Sequence, residues 1–332
     1  MIAPFPCYLV RKRDDGTVEA GVETITLEDL PAGDVVVRVD CSSLNYKDAM
    51  AARGHPGIVR RFPHVPGVDA AGHVVSSSDA AFHEGDPVLV TGYRQGAEQW
   101  GGYAAYVRVP AGWVVPLPDG MTLQQSMAYG TAGFTAAQSV AALMRNRVEP
   151  SDGQIVVTGA TGGVGSLSVA LLAKAKFQVV AVTGKAAQHD FLRQLGAVQI
   201  LSREDVHDTT DRPLLASRWA GAVDTVGGVT LSTVLRSIGH RGCVAACGLV
   251  GGTDIPVTVY PFILRGVTLA GIDSAQCPMD ERLWIWNQLA GPWKLDNLES
   301  MITTVDLSGL DDRVDDILAG KIAGRVLVRP TA

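Results

Sequence analysis

From Ile155 through Ala173 the chain passes 19 residues without a charged side chain, a length that would suit a membrane-spanning helix. Its glycines exclude that. Thr158, Gly159, Gly162, Gly163 and Gly165 divide the run into a short β-branched piece, Ile155-Val156-Val157, and a later piece with Leu167, Leu171 and Leu172 at helical spacing. This pattern predicts a buried strand, a tight turn and a helix that opens at the turn.

The unit is the first of a series. Strands are predicted at residues 154–158, 178–182, 198–201, 222–226, 242–247 and 267–271, separated by helical patterns, and six such strands complete a doubly wound parallel sheet. Upstream, short apolar runs at 35–39, 71–75, 87–91, 103–109 and 113–116 alternate with glycine and proline turns, as in a twisted β domain. A helical stretch over 123–142 marks the change of texture. Helices near 279–289 and 310–319 and a strand at 325–329 finish the chain. The expected fold class is therefore α/β, a β domain joined to a parallel sheet, and 332 residues suffice for both.

Composition removes several functions. The chain is 47% hydrophobic and 19% charged, which argues for a fold throughout. With 28 Lys+Arg against 34 Asp+Glu and no dense basic run, nucleic acid is not an expected partner. Cys7, Cys41, Cys243, Cys247 and Cys277 are odd in number and form no CxxC pair, so a reducing, cytoplasmic setting is expected. The apolar patch at 7–10 runs into Arg11, Lys12 and Arg13, unlike a signal peptide, and no membrane association is expected. The seven histidines show no HxxxH or HxH spacing, so no metal site is predicted, and no G-x-S-x-G marks a serine hydrolase.

Glycines between a strand and a helix let the backbone approach a pyrophosphate whose charge sits at the positive helix end, the arrangement of a dinucleotide site. One departure is visible: in the G-x-G-x-x-G frame the first glycine is Ala160, followed by Gly162 and Gly165. After the second strand, where an Asp or Glu would hold the ribose hydroxyls of NADH, stands Thr183-Gly184-Lys185. A hydroxyl and an ammonium suit a 2′-phosphate, and Arg203, after the third strand, projects from the same sheet edge. NADPH is the expected cofactor.

On the substrate side, Asn45, Tyr46 and Asp48 follow the strand at 35–39. Tyr46 is a candidate hydrogen-bond or proton donor, since a phenol of pKa near 10 stays protonated at neutral pH. Asn45 and Asp48 serve equally well as caps of a helix over 48–52, with Tyr46 packing against cofactor or core, and the two roles are compatible. Arg53, Arg60 and Arg61 form a cationic stretch that would suit an anionic substrate tail or plain solvated surface.

Asn45-Tyr46-Lys47-Asp48, Pro66-Gly67-Val68-Asp69, Gly130-Thr131-Ala132-Gly133-Phe134-Thr135-Ala136 and the glycine turn occur in an order that resembles the zinc-independent, quinone-oxidoreductase-like medium-chain dehydrogenase/reductases. Trp219-Ala220-Gly221-Ala222-Val223-Asp224-Thr225-Val226-Gly227, Gly242-Cys243-Val244-Ala245-Ala246-Cys247-Gly248-Leu249, Pro261-Phe262-Ile263-Leu264-Arg265-Gly266-Val267 and Gly271-Ile272-Asp273-Ser274 narrow the resemblance to the acryloyl-CoA reductase (NADPH) branch. It implies reduction of the carbon–carbon double bond of acryloyl-CoA to propanoyl-CoA with NADPH and no metal. It also implies Tyr46 at the nicotinamide end, Thr161, Gly162, Gly163 and Val164 at the pyrophosphate, and Thr183, Gly184, Lys185 and Arg203 at the 2′-phosphate. Leu249, Ile263 and Ser274 would line the nicotinamide side, and Arg325 would reach the cofactor. Lys185 stands where Arg is common in relatives, which removes a bidentate fork but keeps the charge.

The implied architecture is a GroES-like catalytic domain (residues 1–125 and 300–332) around a Rossmann domain (126–299), with the reaction in the cleft. Relatives often dimerise through the last Rossmann strand, so a homodimer is expected. An NADPH-dependent quinone or enone reductase is the alternative enzyme. An NADPH-binding sensor without turnover is the alternative outside enzymes.

Overall fold

Period-two valines build the first half of the chain. Val35, Val37 and Val39 face one core with Val74, Val88, Val90, Val107, Val109 and Val114, all essentially buried, and each contributes roughly 1.5 kcal/mol or more by leaving water. The structure is a computed structural model and describes residues 2–331. Its strands, in chain order, begin with β1 (Phe5–Lys12), β2 (Val18–Ile25), β3 (Val35–Ser43), β4 (Asp69–Ser77), β5 (Pro87–Thr91), β6 (Tyr106–Val109) and β7 (Val114–Pro116). There follow β8 (Gln154–Val157), β9 (Gln178–Val182), β10 (Ala197–Leu201), β11 (Trp219–Asp224), β12 (Ile238–Ala246) and β13 (Thr268–Gly271), then β14 (Ile302–Asp306) and β15 (Arg325–Arg329).

The chain divides into two compact units, Met1–Thr131 with Ala275–Gly291 and Asp296–Ala332, and Ala132–Ser274 with Pro292–Leu295. In the first, a sheet of order β14-β15-β3-β4-β5-β7 carries β6 on β3, and β1 and β2 form a separate antiparallel hairpin. The hairpin buries Phe5, Tyr8, Leu9 and Val10 in a second core with Leu44, Tyr103, Leu310, Val314 and Val328.

These units depart from the expected boundaries at 125/126 and 299/300. The helix Met279–Ala290 belongs to the first unit because its Arg282, wholly buried, donates to Thr91 O at 2.7 Å and Thr91 Oγ1 at 3.0 Å. The same guanidinium lies 4.3 Å from the centre of the Tyr93 ring. The helical stretch Leu123–Arg145 breaks at Gly130, where φ is 51° and ψ is −159°, one residue before the unit boundary.

In the second unit all six strands are parallel, in the order β10-β9-β8-β11-β12-β13. The chain winds outward from β8 in both directions, so the order reverses between β8 and β11, the place where such sheets bind ligands. Val156, Val180, Ala222, Leu231, Val234 and Val244 pack its core.

Candidate active site

The turn after β8 is fixed from beneath. Thr158 Oγ1 donates to Asp224 Oδ1 at 2.7 Å, and Thr225 Oγ1 donates to Thr158 O at 2.9 Å, tying β8 to β11 at the switch point. Gly159 takes φ 58°, and a Cβ there would stand 2.3 Å from Thr225 Oγ1. The positive-φ duty thus falls to Gly159, which explains why Ala160 is tolerated in the first position of the fingerprint. Gly165 lies against the turn so closely that a Cβ would meet Gly159 O at 2.3 Å. Gly162 caps the helix Gly163–Lys174 without a side chain, which leaves first-turn N–H groups, Gly163 and Val164 among them, available to an anion. Thr161, buried, closes one side, its hydroxyl 3.5 Å from that of Thr183.

β9 and β10 are neighbours, so Lys185 and Arg203 leave the same carboxyl edge. Gly184 admits Arg203: a Cβ would lie 2.8 Å from its Nε. Burial, and then the charge of Arg203, lower the Lys185 pKa. The two cations thus meet at one sheet edge, and Thr183, Gly184 and Lys185 include no carboxylate. Leu249 and Ile263 are largely exposed, at 62% and 68%, and Ser274 is half-buried.

In the first unit, the helix Tyr46–Ala52 begins at Asn45. Tyr46 is 42% exposed. Its neighbours are not exposed. Asp48 is fully buried and accepts N–H groups from Asn45 (2.9 Å), Val68 (2.8 Å) and Gly67 (3.2 Å). Burial, with the nearby Asp69 charge, pushes its pKa up to about 7 against those donors. The Asn45 amide is engaged at both ends, giving to Asp69 Oδ2 at 2.8 Å and receiving from Arg325 Nη1 at 3.3 Å. Of the two roles the sequence left open, the helix cap is the one the structure displays for Asn45 and Asp48.

Asp69 is the centre of this network. It accepts from Ser43 Oγ (2.6 Å), Asn45 Nδ2, Thr131 N (2.9 Å) and Thr131 Oγ1 (2.6 Å). Arg325, only 2% exposed, supplies the cation and donates to Ala128 O, Leu44 O, Asn45 Oδ1 and Ser43 Oγ. It holds β15, the strand β3 and the turn at Gly130 together, which differs from the expected reach to a cofactor. Asp69 and Thr131 lay within the motifs that carried the resemblance, but no local pattern revealed their partnership across 62 residues.

The cationic stretch also separates. Arg53 is paired with Asp311 at 2.8 Å and Asp315 at 2.6 Å, so its charge is already met within the fold, unlike the expected substrate role. Arg60 and Arg61 are exposed.

Comparison with known proteins places this geometry. Residues 31–119 match the alcohol dehydrogenase GroES-like domain, and residues 163–286 match the family described as zinc-binding dehydrogenase. The chain is 47% identical to "Putative quinone oxidoreductase YhfP" of Bacillus subtilis (strain 168) over 97% of its own length and 98% of that protein's. The chain belongs to the quinone-oxidoreductase-like medium-chain dehydrogenase/reductases. Within that family it is 46% identical to acrylyl-CoA reductase AcuI of Ruegeria pomeroyi, covering 96% of each chain. The crystal structure of Escherichia coli K-12 YhdH with bound NADPH superposes with a TM-score of 0.95 at 45% identity, over 98% of this chain and 100% of that one. Bacillus subtilis YhfP with NAD bound gives 0.96 at 46% identity, over 99% and 100%. The family description mentions zinc, yet among the described residues no three His, Cys, Asp or Glu converge as metal ligands, so the donor set here does not fit one. Among the described residues no helix is long and apolar enough to cross a membrane.

Proposed function

We propose that this protein reduces the carbon–carbon double bond of acryloyl-CoA to give propanoyl-CoA, with NADPH as reductant and without a metal. The observation that carries the reading is the 46% identity to AcuI along nearly the whole chain. The Lys185–Arg203 pair supports the choice of NADPH. When bound, NADPH supplies a hydride to the β-carbon of the enoyl thioester. The electron pair of the double bond moves onto the thioester oxygen, and a proton then adds to the α-carbon.

The chain's own part is binding and proton delivery. First-turn N–H groups and Thr161 hold the pyrophosphate, and Lys185 and Arg203 neutralise the 2′-phosphate. Tyr46 offers an exposed phenol to the developing negative oxygen or to the α-carbon, a donor of the type that stabilises charge formed in the transition state. Asn45, Asp48, Asp69 and Arg325 keep the start of its helix in place. Tyr46→Phe tests this role: kcat with acryloyl-CoA is expected to fall at least tenfold, and an unchanged kcat removes the hydroxyl from the chemistry.

A second reading, quinone reduction, is favoured by the likeness to YhfP. The two separate by rates of NADPH oxidation with acryloyl-CoA and with a simple quinone. We also infer a homodimer, because β13 ends its sheet with an open edge and Val259, Tyr260, Ile263 and Leu264, shortly before it in the chain, are exposed. Light scattering that gives the mass of a single chain refutes it. A cytoplasmic location accords with five cysteines that are all free thiols.

A further inference from the structure

Lys47 follows Tyr46 in its helix, is half-buried, and has no hydrogen-bond or ion-pair partner among the described residues. It lines a cavity of about 250 Å³ with Arg60, Tyr93, Arg94, Glu98 and Gln276, all in the first unit. Three cations face one carboxylate there. Arg94 and Glu98 meet at 3.5 Å with both side chains largely exposed, a contact worth little. Arg60, like Lys47, is left without a counter-charge among the described residues.

The walls of this cavity are braced. Tyr93 holds φ 51°, its ring stacks on Trp113 at 5.5 Å and 5°, and its N–H donates to Ala275 O at 2.8 Å, beside Gln276. Gly96 packs so tightly on the loop at Gly67 that a Cβ would lie 2.6 Å from the Gly67 carbonyl carbon. That loop in turn gives its N–H groups to Asp48, next to Lys47. Two unpaired cations on a preorganised polar wall form a receptor for an anion with several oxygens rather than a solvated surface. At about 250 Å³ the space is below the roughly 300–1,000 Å³ that encloses a whole small ligand, so it suits one end of a larger molecule.

We propose that this cavity binds phosphate groups of the CoA moiety through Lys47 and Arg60, an inference that rests on the acyl-CoA reading above. It replaces Arg53 and Arg61 of the cationic stretch with Lys47, and it makes CoA esters preferred over short thioesters through KM rather than kcat.

The test is binding of propanoyl-CoA and of propanoyl-pantetheine, which lacks the nucleotide and its phosphates, to the wild type, Lys47→Gln, Arg60→Gln and the double variant by calorimetry. The expected result is a loss of about fivefold for each single change and more than tenfold for the pair with propanoyl-CoA, as for partly exposed charge contacts. Affinity for propanoyl-pantetheine should move less than twofold. Equal losses on both ligands, or unchanged binding of propanoyl-CoA, overturn the proposal. Displacement of propanoyl-CoA by inorganic phosphate at equal concentration also overturns it, because the site would then be a general anion site. If the wild type binds propanoyl-CoA in the expected Lys47- and Arg60-dependent way yet does not oxidise NADPH with acryloyl-CoA, the cavity assignment stands and the proposed reaction fails.

Discussion

Arg325 separates a structural hub from a cofactor contact, and the two make opposite demands on one variant. The side chain is 2% exposed and donates at 3.0 Å to Ala128 O, 3.2 Å to Leu44 O, 3.3 Å to Asn45 Oδ1 and 2.8 Å to Ser43 Oγ. Burial lowers its pKa, while Asp69 and Asp48, both fully buried, raise it. Arg325→Gln leaves the buried Asp69 carboxylate without a nearby cation and two backbone carbonyls without their donor. Breaking a buried charge network by removing one partner costs about 3–5 kcal/mol, so the urea midpoint of the first unit should fall by about 1–2.5 M for a slope of about 2–3 kcal/mol/M. Arg325→Lys keeps the charge but not the planar fork, and should lose less than half as much. Unfolding is followed by tryptophan fluorescence, and NADPH affinity is measured on each variant well below its midpoint. The hub predicts a large drop in midpoint with NADPH Kd changed less than threefold. An unchanged midpoint with NADPH binding weakened tenfold refutes it and restores the cofactor role implied by the family resemblance.

Three further outcomes follow from the geometry. Lys185→Ala and Arg203→Ala should each weaken NADPH about tenfold and leave NADH within twofold; equal losses on both cofactors in titrations would place the 2′-phosphate elsewhere. Gly130→Ala forces a Cβ into a φ of 51° and to 2.6 Å from Asp69 Oδ2 and Ser43 Oγ, so it should destabilise the first unit by roughly 2–4 kcal/mol in urea unfolding, and a change below about 0.5 kcal/mol contradicts the packing described. The carboxyl of Asp48, at about 7 against an ordinary 3.8, keeps a proton in the folded state that the unfolded chain releases. Its contribution to stability therefore falls as pH rises from about 4 to about 7, by about 4 kcal/mol at most. Asp48→Asn should remove that slope, and parallel stability curves for variant and wild type across this range would show Asp48 to be ionised throughout.

The parallel sheet was legible because its strands are short, largely uncharged runs, β-branched in β8 and β9 and Ala/Gly-rich in β11 and β13, followed by glycine or polar turns. All six were anticipated, with ends displaced by a few residues where register shifts extend β11 and β12. Lys185 and Arg203 were legible as a pair because parallel strands deliver the residues after them to a common edge. The hairpin of β1 and β2 was missed: β1 buries the continuous run Cys7 to Val10 and so shows no alternation before its basic end, and β2 carries Glu19 and Glu23, which pair with Arg13 and Arg11, among few buried residues, although Asp15-Gly16 is a turn signal between them. β14 was missed because Thr303 and Thr304 are both exposed and the strand exists only through its pairing with β15. The network of Asp69, Thr131 and Arg325 joins residues up to 282 positions apart, and local pattern carries no information at that separation. Arg53 shows the same limit in reverse, since its neighbours in sequence suggested a free cation while its partners, Asp311 and Asp315, come from the far end of the chain.

The proposed reaction is tested most directly by the rate of NADPH oxidation with acryloyl-CoA, set beside NADH and beside a simple quinone under the same conditions. The account predicts turnover of acryloyl-CoA with NADPH at least tenfold more efficient than with NADH, propanoyl-CoA as product, and no comparable rate with the quinone. Efficient quinone reduction with no turnover of acryloyl-CoA would contradict it.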